Sequence, residues 1–141
     1  MLELRVGCDG MTTKKSMDEI SCIERMEKRE CRYWDLHERP SNIKRRGSIG
    51  IQFKHPTWVQ RIVIYGDLNL NSVQLHPYLP KNGPFFVGTN IRNKKGWDSG
   101  RYEPVLAVGI SLVGRRKQKG RRSHPSKVKE IVILKETKCR K

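Results

Sequence analysis

The chain has 141 residues, 35% of them hydrophobic, and its 30 Lys and Arg against 14 Asp and Glu give a formal net charge of +16 at pH 7. This length favours one domain over residues 1–141 that folds around its own core. The sequence has no apolar run of 18 residues and no secretory signal, so it predicts no membrane span and no export. A charge of this size exceeds what solubility needs and favours nucleic acid as the partner.

The charge is distributed unevenly along the chain. Residues 1–42 contain eight basic and nine acidic side chains, whereas residues 43–141 contain 22 basic and five acidic ones. The amino-terminal third is therefore close to neutral. The rest of the chain carries the whole imbalance, which favours a positive face or a set of positive loops.

The amino-terminal part predicts one strand and one helix. Residues 2–7 alternate apolar and polar side chains, which is typical of a short strand. Ser16 is followed three residues later by Glu19, the spacing of a capping box, and predicts a helix that ends near Glu30. Four side chains at helical spacing form its apolar face: Met17, Ile20, Ile23 and Met26.

From residue 48 the apolar period changes to two. Alternation predicts strands at 48–54, 58–67, 71–78, 105–113 and 127–136, with a turn at 55–57 and another at 82–84 before a short strand. Residues 89–103 are polar and predict a long surface loop. In the strand at 105–113 the predicted apolar face consists of Leu106, Val108, Ile110 and Leu112.

These elements predict a mostly β fold, a jelly-roll β-sandwich with one N-terminal helix. The β-sandwich covers residues 2–136, and a short basic tail follows at 137–141. The order of a Trp-bearing segment, "CRYWDLHERP", a strand pair, "GSIGIQFKHPTWVQRIVIYG", and a terminal strand, "VKEIVILKE", resembles the discoidin-like, or galactose-binding-like, jelly-roll superfamily. The resemblance implies a binding domain, and intracellular members of that superfamily are scaffolding or docking modules.

The four cysteines are Cys8, Cys22, Cys31 and Cys139. No CxxC pair occurs, and the spacing of Cys22, Cys31 and His37 matches no zinc motif. We therefore expect reduced, partly buried thiols, without a metal or another cofactor. Reduced thiols, together with the basic segment described next, predict a nuclear protein, with a cytoplasmic one as the alternative.

The strongest functional signal is the segment "GRRKQKGRRSHPSK" at residues 114–127, which lies between two predicted strands. Charges placed in a core would carry a large desolvation cost, so we expect a hydrated loop available to a polyanion. Arginine binds phosphate oxygens in a forked geometry, and lysine acts as a point charge. The predicted phosphate ligands are Arg115, Arg116, Lys117, Lys119, Arg121, Arg122 and Lys127.

Two further basic clusters extend the predicted nucleic-acid site. One is Lys44, Arg45 and Arg46; the other is Arg92, Lys94 and Lys95, beside Trp97. Aromatic groups near cations can stack exposed bases, although the tryptophans are expected chiefly in packing roles. If the clusters share one face, they form a track for a phosphate backbone. Such contacts position a protein on nucleic acid without reading the sequence.

The sequence contains no catalytic motif, so we predict that the protein is not an enzyme. The predicted function is nucleic-acid binding, DNA or RNA, through phosphate contacts. The first alternative is a protein-docking domain of the discoidin-like type, in which residues 31–40 contact another protein and the basic loop serves nuclear targeting. An acidic protein or a phosphoinositide headgroup is a further alternative ligand.

Overall fold

The computed structural model of the chain describes residues 2–8, 10, 14–15, 19–25, 30–32, 42–43, 47–79, 83–115 and 126–136. Within these ranges every regular element is a β-strand, which confirms the mostly β prediction. The strands are β1 (Glu3–Cys8), β2 (Lys14–Lys15), β3 (Ile20–Arg25), β4 (Glu30–Arg32), β5 (Asn42–Ile43), β6 (Ser48–Pro77), β7 (Phe85–Asn93), β8 (Gly96–Asp98), β9 (Val105–Gly114) and β10 (Ser126–Lys135). The described residues hold no helix with the length and apolarity that a membrane crossing needs.

The long strand β6 passes through the ten-stranded sheet three times. Its first segment, residues 48–53, lies between β3 and β9. Its second segment, residues 59–67, lies between β10 and β8, and its third segment, residues 68–77, lies between β9 and β7. Strand β9 therefore has β6 on both sides, and β6 links all parts of the sheet.

One apolar core joins these parts. Alternate side chains of the second segment of β6, Ile62 and Ile64, are fully buried, and they pair in register with Ile133 and Ile131 of β10. The side chains from the other half of the sheet belong to the same cluster, so the sheet curls around a common interior. Those side chains are Ile23, Ile49, Ile51, Val73, Leu75, Ile110 and Leu112.

The predicted amino-terminal helix is wrong over its described part, because residues 20–25 form β3. Ile20 and Ile23 are both fully buried, and their three-residue spacing looked helical. In a regular strand that spacing would send them to opposite faces. A register shift between Ile20 and Cys22 restores a common face, so that Ile20 pairs with Phe53 and Ile23 with Ile51. Ser16, Met17 and Met26 lie outside the described residues.

The predicted surface loop at 89–103 is also wrong in part, because β7 continues to Asn93 and β8 follows after a tight turn. The turn is formed by the Asn93 side chain, whose Oδ1 accepts hydrogen bonds from the backbone N–H groups of Lys95 at 2.8 Å and Gly96 at 3.3 Å. Most residues of β7 and β8 in this range are exposed and polar, so the sequence lacks the apolar–polar alternation by which a strand is recognised.

Bulges alter the predicted faces of two strands. Gly109 and Ala107 of β9 pair with the consecutive residues His76 and Pro77, so Val108 is an extra residue, and its side chain is exposed although we predicted it in the core. Strand β10 also has a register shift after Val128, and four consecutive side chains from residue 131 to residue 134 are buried. Its two predicted faces are therefore both covered.

The cysteines differ from the prediction. Cys8 and Cys22 are both disulfide-bonded, and no described cysteine is a free thiol. Cys8 pairs in register with Lys135, and Cys22 with Gln52. Cys8 therefore lies on β1, which pairs with β10, and Cys22 lies on β3, which pairs with the first segment of β6; both positions are away from residues 66–70. The expectation of reduced thiols rested on the absence of a spacing motif, and cysteine spacing does not determine which side chains meet across a sheet.

Candidate nucleic-acid interface

The candidate site is built around a bend in β6 at Gly66. The Gly66 N–H donates a hydrogen bond to the Lys95 carbonyl oxygen at 3.0 Å, and its backbone has φ +146°. A side chain at this position would overlap the Lys127 carbonyl oxygen and come within 3.1 Å of the Val128 Cα. Glycine therefore allows β10 to lie directly against the bend.

Both ends of the predicted basic loop are fixed at the residues that follow this bend. Gly114, the last residue of β9, pairs with Leu70, and Ser126 Oγ accepts a hydrogen bond from the Asn69 N–H at 2.6 Å. Asn69 and Leu70 are consecutive, so the loop starts and ends at one place. Strands β9 and β10 do not pair with each other in the described ranges; each pairs with β6. Five predicted ligands lie outside the described residues: Arg116, Lys117, Lys119, Arg121 and Arg122.

The chain on either side of the second basic cluster is held beside the same loop ends. Ile43 pairs in register with Ser126, and the Gly47 carbonyl oxygen accepts a hydrogen bond from the Gly114 N–H at 2.8 Å. Lys44, Arg45 and Arg46 are outside the described residues. Their chain neighbours are nevertheless bonded to the first and last residues of the basic segment.

The third cluster adjoins the bend from the other side. Arg92 of β7 pairs with Asn69, and the turn that follows presents Lys94 and Lys95 as exposed side chains. On the opposite side of β6, Lys127 pairs with Asp67 and is exposed. We use the term basic corner for residues 66–70 together with the described cations around them, which are Arg92, Lys94, Lys95, Arg115 and Lys127.

Among the described residues, no ion pair involves Lys94, Lys95 or Lys127. The ion pairs among described residues lie elsewhere: Arg5 Nε is 2.9 Å from Glu130 Oε1, Lys135 Nζ is 2.5 Å from Glu19 Oε1, and Arg61 pairs with Asp98. The Arg61 hydrogen bond lowers the pKa of the Asp98 carboxyl below its usual range. Arg115 is partly buried, and in the described structure its Nε donor is buried without a hydrogen-bond partner.

Sequence reasoning missed two residues beside the basic corner, Tyr65 and Lys129. Tyr65 directly precedes Gly66 and its side chain is 49% exposed; Lys129 lies on β10 and is exposed. The signal for Tyr65 was present, because the alternation of "IVIYG" places it opposite Ile62 and Ile64. By contrast Trp97, beside the third cluster, is partly buried and packs against the core, as expected of a packing residue.

A Ser–His contact lies on the outer surface of the sheet. Ser111 Oγ and His76 Nε2 are 2.6 Å apart, and burial lowers the pKa of His76. Ser111 pairs with Gly50 on one side and Gln74 on the other, so the backbone around it is engaged in the sheet and offers no free donor pair for an oxyanion. The described residues also contain no group of three or more potential metal ligands.

The comparisons with known proteins add no relative. No protein-family model matches the chain, and no curated protein has a significantly similar sequence. The site is therefore interpreted from its own geometry.

Proposed function

We propose that the protein binds nucleic acid through the basic corner, chiefly by contacts to phosphates. One observation carries the proposal: the ends of the basic loop and Arg92 of the third cluster are bonded to Asn69 and Leu70 of β6. The residues on either side of the second cluster are in turn bonded to those loop ends. Clusters that are about 20 to 70 residues apart in sequence are thus flanked by residues that lie in one region of the surface. A polyanion that meets several cations at once gains from each phosphate it neutralises.

The described cations favour phosphate as the ligand. Lys94, Lys95 and Lys127 are exposed and have no ion-pair partner among the described residues, so binding need not first break an internal pair. Arg115 adds a buried donor without a partner, and leaving such a donor unsatisfied costs about 1–3 kcal/mol. A phosphate oxygen at that donor would recover part of this free energy.

The test measures binding of a labelled duplex and a labelled single strand by fluorescence anisotropy at several salt concentrations. In the variant Lys94→Gln, Lys95→Gln, Lys127→Gln we expect about 100-fold weaker binding at 0.15 M salt, since each lost phosphate contact reduces affinity about fivefold there. The slope of log affinity against log salt should fall by about 2.7 on duplex DNA. Neutralising Arg115, Arg116, Lys117, Lys119, Arg121 and Arg122 instead tests the basic loop.

The matched control is a pair of single variants, Lys95→Gln and Lys54→Gln. Lys54 is equally exposed but lies beyond Phe53, where the first segment of β6 leaves β3, away from the basic corner. We expect Lys95→Gln to weaken binding about fivefold and Lys54→Gln to leave it unchanged. Equal effects of the two substitutions would mean that net charge, not the basic corner, determines binding.

The finer fold and the cell compartment are proposals as well. The two halves of the sheet around one core support a jelly-roll arrangement, and with it the resemblance to discoidin-like domains.

The proposal of nuclear localisation rests on the basic segment alone. The disulfide-bonded state of Cys8 and Cys22 argues against it, because disulfides are rare in reducing compartments. Titration of the thiols in protein isolated under alkylating conditions distinguishes a nuclear protein with reduced cysteines from a protein with disulfides in an oxidising compartment.

A second candidate function, protein docking, is supported by exposed aromatic side chains at the other end of the sheet. Trp58, Tyr78 and Phe86 are each about half exposed, and Tyr78 and Trp58 both adjoin Leu106 of β9. Residues 33–40 of the segment that we predicted for this role lie outside the described residues. A partner bound at this end should show weak salt dependence and should be lost in Trp58→Ser, Phe86→Ser.

A further inference from the structure

We infer that the basic corner binds single-stranded nucleic acid and that the ring of Tyr65 stacks on one of its bases. This inference rests on the proposed function and adds to it the kind of strand and a residue that no sequence motif identified. The argument uses only described residues around the bend in β6.

Tyr65 is held on the outer surface of the sheet with one side uncovered. It pairs in register with Gly96 of β8 and with Glu130 of β10. Gly96 has no side chain to cover the ring, and a Cβ there would overlap the Ile64 carbonyl oxygen, so the close approach of β8 requires glycine. The result is an aromatic side chain that is 49% exposed beside a glycine.

Three exposed lysines lie at backbone positions close to Tyr65. Lys95 directly precedes Gly96, Lys129 directly precedes Glu130, and Lys127 pairs with Asp67 two residues beyond Tyr65. Adjacent strands are about 5 Å apart, so each of these lysines starts within one or two residues of the tyrosine. The carboxylate of Glu130, which pairs in register with Tyr65, is compensated, since Glu130 Oε1 is 2.9 Å from Arg5 Nε.

An aromatic ring flanked by cations matches the chemistry of a single strand better than that of a duplex. In a duplex the base faces are already stacked inside the helix, and only phosphates and groove edges are available. In a single strand each base offers its face to a protein ring, which contributes about 1–3 kcal/mol per base, while the lysines contact the neighbouring phosphates. Both contacts are sequence-tolerant, in agreement with the absence of a base-reading motif.

The test uses three probes, a 12-nucleotide oligothymidylate, a 12-nucleotide oligouridylate and a blunt duplex of equal charge, with anisotropy as the readout. Tyr65→Ala should weaken binding of the single strands about 5- to 150-fold, and Tyr65→Phe should leave it unchanged, because the ring is kept. Duplex binding should change less than twofold. The matched control is Trp58→Ala, an equally exposed aromatic residue away from the basic corner, which should change nothing.

The outcomes separate this inference from the proposed function. If the triple lysine variant loses binding while Tyr65→Ala binds single strands like wild type, the single-strand inference is wrong and the proposed function stands. If neither variant loses affinity, both are wrong. Equal losses on duplex and single strand in Tyr65→Ala would indicate a damaged corner and would also refute stacking. Between the two single strands, the higher wild-type affinity identifies DNA or RNA as the preferred ligand.

Discussion

The two ends of β9 differ in chemistry although one strand connects them. At Gly114 the strand meets the basic corner, where exposed lysines and buried serines surround the bend in β6. At Val105–Val108 it meets exposed aromatic side chains, among them Trp58 and Tyr78. At about 3.3 Å per residue these ends are about 25–30 Å apart.

This separation shows how one small sheet can present two surfaces with different physical responses. The nucleic-acid binding that we propose at the basic corner would depend on counterion release and weaken with salt. A partner bound at the aromatic end would depend on burying apolar area and respond little to salt. The disulfide-bonded Cys8 and Cys22 pair in register with Lys135 and Gln52, toward the aromatic end. These two cysteines are therefore also separated from the basic corner.

The largest expected effect comes from reducing the disulfides of Cys8 and Cys22. We expect the free energy of unfolding to fall by about 2–4 kcal/mol for each crosslink. Affinity for nucleic acid at 20 °C should not change, because the cysteines lie away from the basic corner. Thermal unfolding by circular dichroism, with and without a reducing agent, is compared with an anisotropy titration under the same two conditions. A parallel loss of stability and affinity would show that the two ends are not independent.

A smaller effect is expected from Gly66→Ala, which tests whether the close approach at the bend maintains the corner. Gly100→Ala is the matched control, because Gly100 also has a positive φ, +70°, but has no atom within 4 Å of its Cβ position. The control should cost about 1–2 kcal/mol for the backbone conformation alone. Gly66→Ala should cost more than that, since the added methyl group overlaps the backbone of β10. Urea unfolding of both variants measures the difference, and equal costs would mean that β10 moves aside freely.

The smallest expected effect is the pH dependence caused by His76 near the aromatic end. Burial lowers the pKa of His76 in the folded protein, so between that value and the unfolded value of about 6.5 the unfolded chain binds more protons. The free energy of unfolding that neutral His76 contributes is therefore fully present above about pH 6.5, and it is lost as the pH falls from 6.5 through the lowered pKa of His76. His76→Gln should flatten the stability profile from pH 7 to pH 5. An unchanged profile in the variant would assign the dependence to other groups.

Alternation predicted most of the sheet correctly because apolar side chains at every second position directly reflect one buried face. Leu4, Val6, Ile62, Ile64 and Leu75 are buried as that pattern requires. The pattern failed where a strand gains one residue. The shift between Ile20 and Cys22 produced a helical spacing, and the bulge at Val108 reversed its side chain. Bulges depend on what the partner strand offers, and a single sequence does not contain that information.

The candidate site was predictable as a set of cations but not as a surface. Runs of lysine and arginine are visible in the sequence, whereas their common location depends on the three passages of β6 through the sheet. Nothing in the sequence at Asn69 and Leu70 indicates that both Gly114 and Ser126, the two ends of the basic loop, are bonded there. Tyr65 was missed for a different reason: alternation gave the outward direction of its side chain but not its cross-strand neighbour Gly96, which has no side chain to cover the ring.

The threefold use of β6 also affects the order in which the polypeptide can assemble. Residues 48–77 leave the ribosome before β7, β8, β9 and β10, the strands that cover most of their edges. Pairings between such distant segments form slowly, and until they form an unpaired strand of 30 residues is open to other nascent chains. Lysine and arginine within and around residues 48–77 would repel a second copy of the chain during this interval. The positive charge would therefore reduce aggregation during synthesis, before the protein binds any ligand.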